Sequence, residues 1–171
     1  FGIDFRHPGA PLLVTDATPP LGAGAGPDAE QLLIAAVANC LSASLLFALR
    51  KFKNEVGTMR TVADAKLVRN EQNRLRVGSI EVEIHLGVAA ATLKQLDRAL
   101  AQFEDFCVVT QSVRAAIPVQ VKVIDGEGAV LTLQYGPAAT VWRMNFGWRR
   151  RKEKTVLGFM INPVTGHWVG G

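Results

Sequence analysis

Apolar and polar positions along the chain fall into blocks with two different periods. Phe1, Ile3 and Phe5 alternate with Gly2, Asp4 and Arg6, the period of a half-buried strand. His7-Pro8-Gly9-Ala10-Pro11 forms a turn, and Leu12-Leu13-Val14 reads as a second strand. Residues 17–27 are rich in glycine and proline and form a loop. Asp28 then sits at the N-cap of a helix, with Glu30 and Gln31 in its first turn, where acidic groups suit the helix dipole. The helix is predicted to run to about Lys53 and to end between Asn54 and Gly57. It is apolar nearly all round, which predicts a buried central helix. Leu32 to Leu49 carries no formal charge, the lower limit of length for a membrane span. Asn39, Ser42 and Ser44 interrupt that run, Arg50, Lys51 and Lys53 follow at once, and no second span accompanies it. The expectation is therefore a core helix and no membrane. A chain of 171 residues can hardly bury such a helix alone, so a dimer with paired central helices is expected.

Strand alternation returns over Arg60–Arg69 and Arg74–Leu86, joined by the turn Asn70-Glu71-Gln72-Asn73, with a bulge expected near Gly78-Ser79. From Thr92, an N-cap candidate, Leu93, Leu96, Leu100 and Phe103 keep helical spacing to about Phe106. Ser112 to Ala116 makes a further short helical turn, stopped by Pro118. Val119–Ile124 and Val130–Leu133 read as strands around the turn Asp125-Gly126-Glu127-Gly128. Strands, a long helix, a strand pair, helices and strands again define an α+β fold. Residues 1–135 form its single domain, and residues 136–171 form an extension of different character.

Charge separates the same two parts. The chain carries a net +4, but residues 136–171 hold six Lys/Arg and one acid, leaving 13 basic and 14 acidic groups on the remaining 135 residues. A nucleic-acid groove needs a basic face on the folded body, and this body is neutral. Trp142, Trp148 and Trp168 lie in the extension beside Arg149-Arg150-Arg151. Such a segment suits either a membrane or single-strand contact or, more commonly, aromatics packed on the body with solvated charges. The glycine-rich loop lacks the lysine and serine of a phosphate loop, which excludes that mode of nucleotide binding. The start of the chain has Asp4, Arg6 and Pro8 in place of a basic stretch and apolar run, so no signal peptide is expected. His7, His85 and His167 have no metal-ligand spacing with a cysteine, and no orienting acid accompanies them for a Cys-His hydrolase.

Two cysteines remain as candidate chemistry. Cys40 lies midway along the apolar helix, where a thiol is ordinarily a small inert hydrophobe. Cys107 lies in Phe106-Cys107-Val108-Val109-Thr110, and a helix starting at Val108 or Val109 would favour its thiolate. They are 67 residues apart, so they are either a pair assembled by the fold or two unrelated core residues. So few cysteines fit a reducing, cytoplasmic setting.

The segment Gly26-Pro27-Asp28-Ala29-Glu30-Gln31-Leu32, followed by an alanine-rich stretch and Cys40 ten residues after Glu30, resembles the central helix of the OsmC/Ohr family. A second family mark is a cysteine before a Ser/Thr-containing turn and a short helix ending near Val/Ile-Pro. Here it reads Cys107-Val108-Val109-Thr110-Gln111-Ser112 through Ile117-Pro118. The Asp16…Pro19-Pro20-Leu21-Gly22 loop is similar as well, and the resemblance covers about residues 1–134. It implies an OsmC-like fold: antiparallel sheets about a long buried central helix in an intertwined homodimer. It also implies a thiol peroxidase for organic hydroperoxides, with Cys40 peroxidatic and Cys107 resolving. A lipoyl-type dithiol would be the reductant, with no metal or organic cofactor. Leu33, Val37 and Phe47 would wall the site with apolar surface. On a straight helix Glu30 stands about 15 Å along the axis and roughly 80° around it from Cys40, so it cannot touch Cys40 in one chain and would act across the dimer. The family's peroxidases carry an N-terminal arginine beside the thiolate, and Arg6 is the only arginine before the helix; Arg50, Arg60 and Arg114 are substitutes. The alternatives are a non-enzymatic redox sensor or small-ligand-binding dimer on the same fold, and an interaction protein acting through its tail.

Overall fold

Asp28 opens the longest element of the computed structural model, which describes residues 1–135 and 154–161. Its carboxylate accepts from the Gln31 amide at 2.8 Å, while the Gln31 side chain accepts from the Asp28 amide at 2.9 Å. This reciprocal box satisfies two amides that a helix start otherwise leaves unpaired. Helix α1 then runs Ala29–Lys51, two residues short of the sequence expectation. Asn54 turns the chain at its end by bonding the Leu49 carbonyl.

Strands β1 (Gly2–Ile3) and β2 (Leu13–Val14) pair only with each other, shorter than their alternation suggested. The main sheet has five strands in the order β6-β5-β4-β3-β7: β3 Met59–Arg69, β4 Leu75–Leu86, β5 Val119–Ile124, β6 Val130–Tyr135 and β7 Lys154–Ile161. Met59, Thr61, Ala63 and Ala65 of β3, with Ile80, Val82, Ile84 and Leu86 of β4 and Val119, Val121 and Val123 of β5, point to one buried face. Onto it α1 lays Ile34, Val37, Ala38, Leu41, Leu45 and Leu49. The sheet is mixed and not antiparallel throughout, because β4 and β5 run parallel. The crossover between them carries helices α2 (Leu96–Gln102) and α3 (Val108–Arg114) back across the sheet, as a parallel pair requires.

The expected bulge is present. Lys66 pairs with Ser79 and Leu67 with Val77, so Gly78 is the extra residue. A Cβ there would overlap the Val68 side chain. The helix expected from Thr92 is shorter: a 3-10 turn over Ala90–Thr92 comes first, and α2 begins only at Leu96 after Gln95 in the left-handed region. Residues 154–161 of the extension join the sheet as β7, antiparallel to β3. The three tryptophans and the Arg149-Arg150-Arg151 run lie outside the described residues.

Helix α1 is long and apolar enough to span a membrane by length and composition alone, but its core stripe is packed on the sheet. It is not wrapped on all sides within one chain: Ala36, Asn39, Ala43 and Phe47 follow one another along an exposed face.

Candidate active site

The close packing of α1 on α3 brings the two cysteines together. Cys40 is half-buried on α1, and Cys107 is fully buried at the N-cap position of α3. Both are free thiols, and Cys40 lies near enough to Cys107 to influence its titration. The Cys107 thiol also donates to Thr110 Oγ1 at 2.9 Å, and Thr110 is itself fully buried. The fold thus sets the two cysteines near one another on packed helices.

The protonation of Cys107 differs from the expectation drawn from its place before a helix. Burial pushes the thiol above its ordinary value of 9.0, and the neighbouring Cys40 pushes the same way. The hydroxyl and amide of Thr110 oppose this without reversing it. A neutral thiol is the resting form, since desolvation penalises the anion.

A buried ion pair braces the segment around Cys107. Glu104, just after α2, pairs with Arg114 at the end of α3, and their side chains are only 6% and 9% exposed. Arg114 also donates to the Val119 carbonyl at 3.2 Å, tying α3 to β5. The Glu104 carbonyl accepts from the Cys107 amide at 3.0 Å and from Gln111 Nε2 at 3.0 Å. Sequence reasoning considered Arg114 only as a substitute activator and passed over Glu104. Their spacings of three residues before and seven after Cys107 are the signal that could have joined them.

The other expected site residues lie elsewhere. Arg6 is exposed in the left-handed region, its amide bonded to Asp4 at 2.8 Å. Glu30 is exposed in the first turn of α1. Arg50 and Arg60 are exposed too. Among the described residues, no arginine hydrogen-bonds either sulfur within the chain. Leu33 is half-buried and Val37 fully buried, whereas Phe47 is 71% exposed. Phe47 lines an open groove of about 140 Å³ with Ser44, Ala48, Phe52, Phe106 and Lys51. The groove begins one helical turn beyond Cys40, on the same side of α1. Among the described residues, no group of three His, Cys, Asp or Glu side chains could hold a metal ion.

The start of α1, and so the height of Cys40, is set by the loop before it. Asp16 accepts from the amides of Ala17, Ala23 and Ala25 at 2.9, 2.8 and 3.1 Å. These bonds hold its carboxyl below the usual carboxylate value. Gly26 passes so close to the Val14 carbonyl oxygen that a Cβ would overlap it.

A long helix on a mixed sheet, with facing thiols on α1 and before α3, defines an OsmC-like protein. The family model for OsmC-like proteins matches residues 22–122, and the chain belongs to that family. A comparison with curated proteins found no match. Among solved structures, an OsmC-like protein of unknown function from Vibrio cholerae superposes with a TM-score of 0.54 at 22% identity, covering 66% of this chain and 76% of that one. An organic hydroperoxide resistance protein OsmC from Legionella pneumophila gives 0.53 at 19% identity, covering 67% and 82%. A second Vibrio cholerae protein, a putative organic hydroperoxide resistance protein with captopril in one of its active sites, gives 0.51 at 24%, covering 64% and 72%. At these identities the likeness is one of fold.

Proposed function

We propose that the chain is a thiol-dependent peroxidase that reduces organic hydroperoxides to alcohols. The observation that carries this reading is the closeness of Cys40 and Cys107 where α1 packs on α3. In the first step the Cys40 thiolate attacks the distal peroxide oxygen. The O–O bond breaks, the alcohol leaves after taking up a proton, and Cys40 becomes a sulfenic acid. In the second step the Cys107 sulfur attacks the Cys40 sulfur; the S–O bond breaks, and hydroxide departs as water with the Cys107 proton. An external dithiol of the lipoyl type then returns the disulfide to two thiols by exchange. The half-buried position of Cys40 suits the first step, since an organic peroxide must reach it, and full burial of Cys107 suits an internal role. The hydroperoxide-resistance proteins among the structural relatives agree with this assignment.

An intertwined homodimer completes the proposal. The uncovered apolar face of α1 and the exposed Phe1, Phe5, Leu12 and Leu21 of the N-terminal segment would both be covered by a second copy. Glu30, about 15 Å along the axis from Cys40, would enter the partner's site from there, and Arg6 would have to do likewise. One observation favours the rival reading of a redox sensor or ligand-binding dimer: among the described residues no arginine hydrogen-bonds either sulfur. Cumene hydroperoxide turnover with dihydrolipoamide decides between them. The peroxidase requires turnover that Cys40→Ser abolishes, with sulfenic acid accumulating on Cys40 in Cys107→Ser. Slow, stoichiometric oxidation without turnover would leave the sensor.

A further inference from the structure

The threonine beside Cys107 does something that the other buried or helical hydroxyls do not. Ser42 on α1 and Ser112 on α3 each donate to the carbonyl four residues back, at 2.8 and 2.9 Å, the usual way a helical hydroxyl satisfies itself. Thr110 stands in the first turn of α3, where the residue four back, Phe106, lies before the helix, and its Oγ1 lies 2.9 Å from the sulfur of the N-cap residue Cys107. Both residues are fully buried, so bulk water is not at hand to solvate that sulfur.

We propose that the Thr110 hydroxyl is a catalytic group of the disulfide-closing step, holding the Cys107 sulfur toward Cys40 and stabilising the thiolate from which it attacks. This rests on the peroxidase reading above. In the resting thiol the S–H donates to Thr110 Oγ1. Cys107 gives up its proton and attacks the sulfenic sulfur as a thiolate; the S–O bond breaks, and the departing hydroxide takes up a proton and leaves as water. The hydroxyl, no longer an acceptor, rotates and donates to the sulfur. A hydroxyl can make that exchange without moving its oxygen. The sulfenic sulfur is reduced and the Cys107 sulfur oxidised as the S–S bond forms, so the step needs no further oxidant. The same hydroxyl acts in reverse when the dithiol reductant attacks Cys40, because Cys107 then leaves as a thiolate and leaving is faster when that thiolate is stabilised. The direction of the Thr110 influence on the Cys107 thiol agrees with this role.

The test compares Thr110→Val, which keeps shape and removes the hydroxyl, with Thr110→Ser, which keeps the hydroxyl. Rapid mixing with one equivalent of cumene hydroperoxide follows sulfenic acid formation and its decay to disulfide across a pH series. Thr110→Val is expected to form sulfenic acid at the wild-type rate. Its decay should slow by about ten- to a hundredfold, the scale of one hydrogen bond to a charged group, with the pH midpoint shifted upward; Thr110→Ser should restore both. Wild-type decay and an unmoved midpoint in Thr110→Val overturn the proposal. A second measurement stands apart from peroxidase chemistry: iodoacetamide alkylation of Cys107 against pH in the Cys40→Ser background. The midpoint should rise in Thr110→Val and return in Thr110→Ser, and equal midpoints overturn the role. A wild type that consumes peroxide without closing a disulfide, while the alkylation midpoint still shifts, overturns the two-cysteine mechanism and the catalytic role with it.

Discussion

Glu104 and Arg114 form a buried ion pair with little slack, and removing one member has a calculable effect. Their side chains are 6% and 9% exposed, and Glu104 Oε1 and Arg114 Nε already lack partners. Arg114→Met removes the guanidinium and leaves the Glu104 carboxylate buried without a countercharge. Breaking a buried pair from one side costs about 3–5 kcal/mol. That is roughly a hundredfold to several-thousandfold in the folding equilibrium, against a total stability of about 5–15 kcal/mol for a domain. With a urea slope of about 2 kcal/mol/M, the midpoint should fall by roughly 1.5–2.5 M. Arg114→Met also deletes the bond to the Val119 carbonyl, so the upper half of that range is expected. Glu104→Leu combined with Arg114→Met removes both charges, and such apolar replacements range from neutral to stabilising; the double variant should regain most of the loss. Urea titrations followed by circular dichroism, at one fixed protein concentration because association would make stability depend on it, give all four corners of the cycle. Single variants within about 0.5 kcal/mol of wild type, the scale of an ordinary surface substitution, would refute the reasoning, as would strictly additive losses.

Acid should act through the two carboxylates that organise loops. Asp16 and Asp125 are both held below their ordinary value of 3.8, chiefly by backbone amides, so the stability they contribute is present above that value and lost as pH falls through the lower, folded one. Asp125→Asn would keep an acceptor for the amides of Glu127 and Ala129 but lose the bond to Ala90; thermal melts should show a deficit at pH 7 that closes toward pH 2–3, roughly, and a constant deficit contradicts the assignment. Ala43→Arg places a charge on the uncovered face of α1; native mass spectra should show the proposed dimer for wild type and monomer for the variant, and a dimer in both would locate the interface elsewhere.

Local signals carried a good deal of this fold. The Pro27-Asp28 start, the uncharged core of α1, the Gly78 bulge and the Asp125–Gly128 turn are each written in a few neighbouring residues, and each is where the pattern indicated. The helix drawn from Thr92 failed for a non-local reason. Asn54, 40 residues away, accepts from the Lys94 amide at 2.7 Å and donates to the Lys94 carbonyl at 2.9 Å. That grip holds residues 93–95 out of the helix although the apolar spacing runs on through them. The parallel pairing of β4 with β5 and the docking of β7 on β3 are likewise long-range, with no local counterpart in alternation.

The site divides in the same way. Motif resemblance singled out Cys40 and Cys107, but periodicity could not join them, because their contact depends on how α3 meets α1. The expectation for the Cys107 thiol failed because a helix start favours a thiolate only modestly, and full burial outweighs it. Glu30 and Arg6 are both exposed, and the length of helix between Glu30 and Cys40, about 15 Å, keeps those two apart within one chain.

The central claim is that Cys40 and Cys107 act as one redox unit, and mapping the oxidised product tests it most directly. The reduced protein would be mixed with one equivalent of cumene hydroperoxide, alkylated, digested and examined by mass spectrometry without reduction. The account predicts loss of both thiols and a cross-linked peptide pair containing Cys40 and Cys107 within a single chain. Two alkylated, unoxidised cysteines with the peroxide left intact would contradict it.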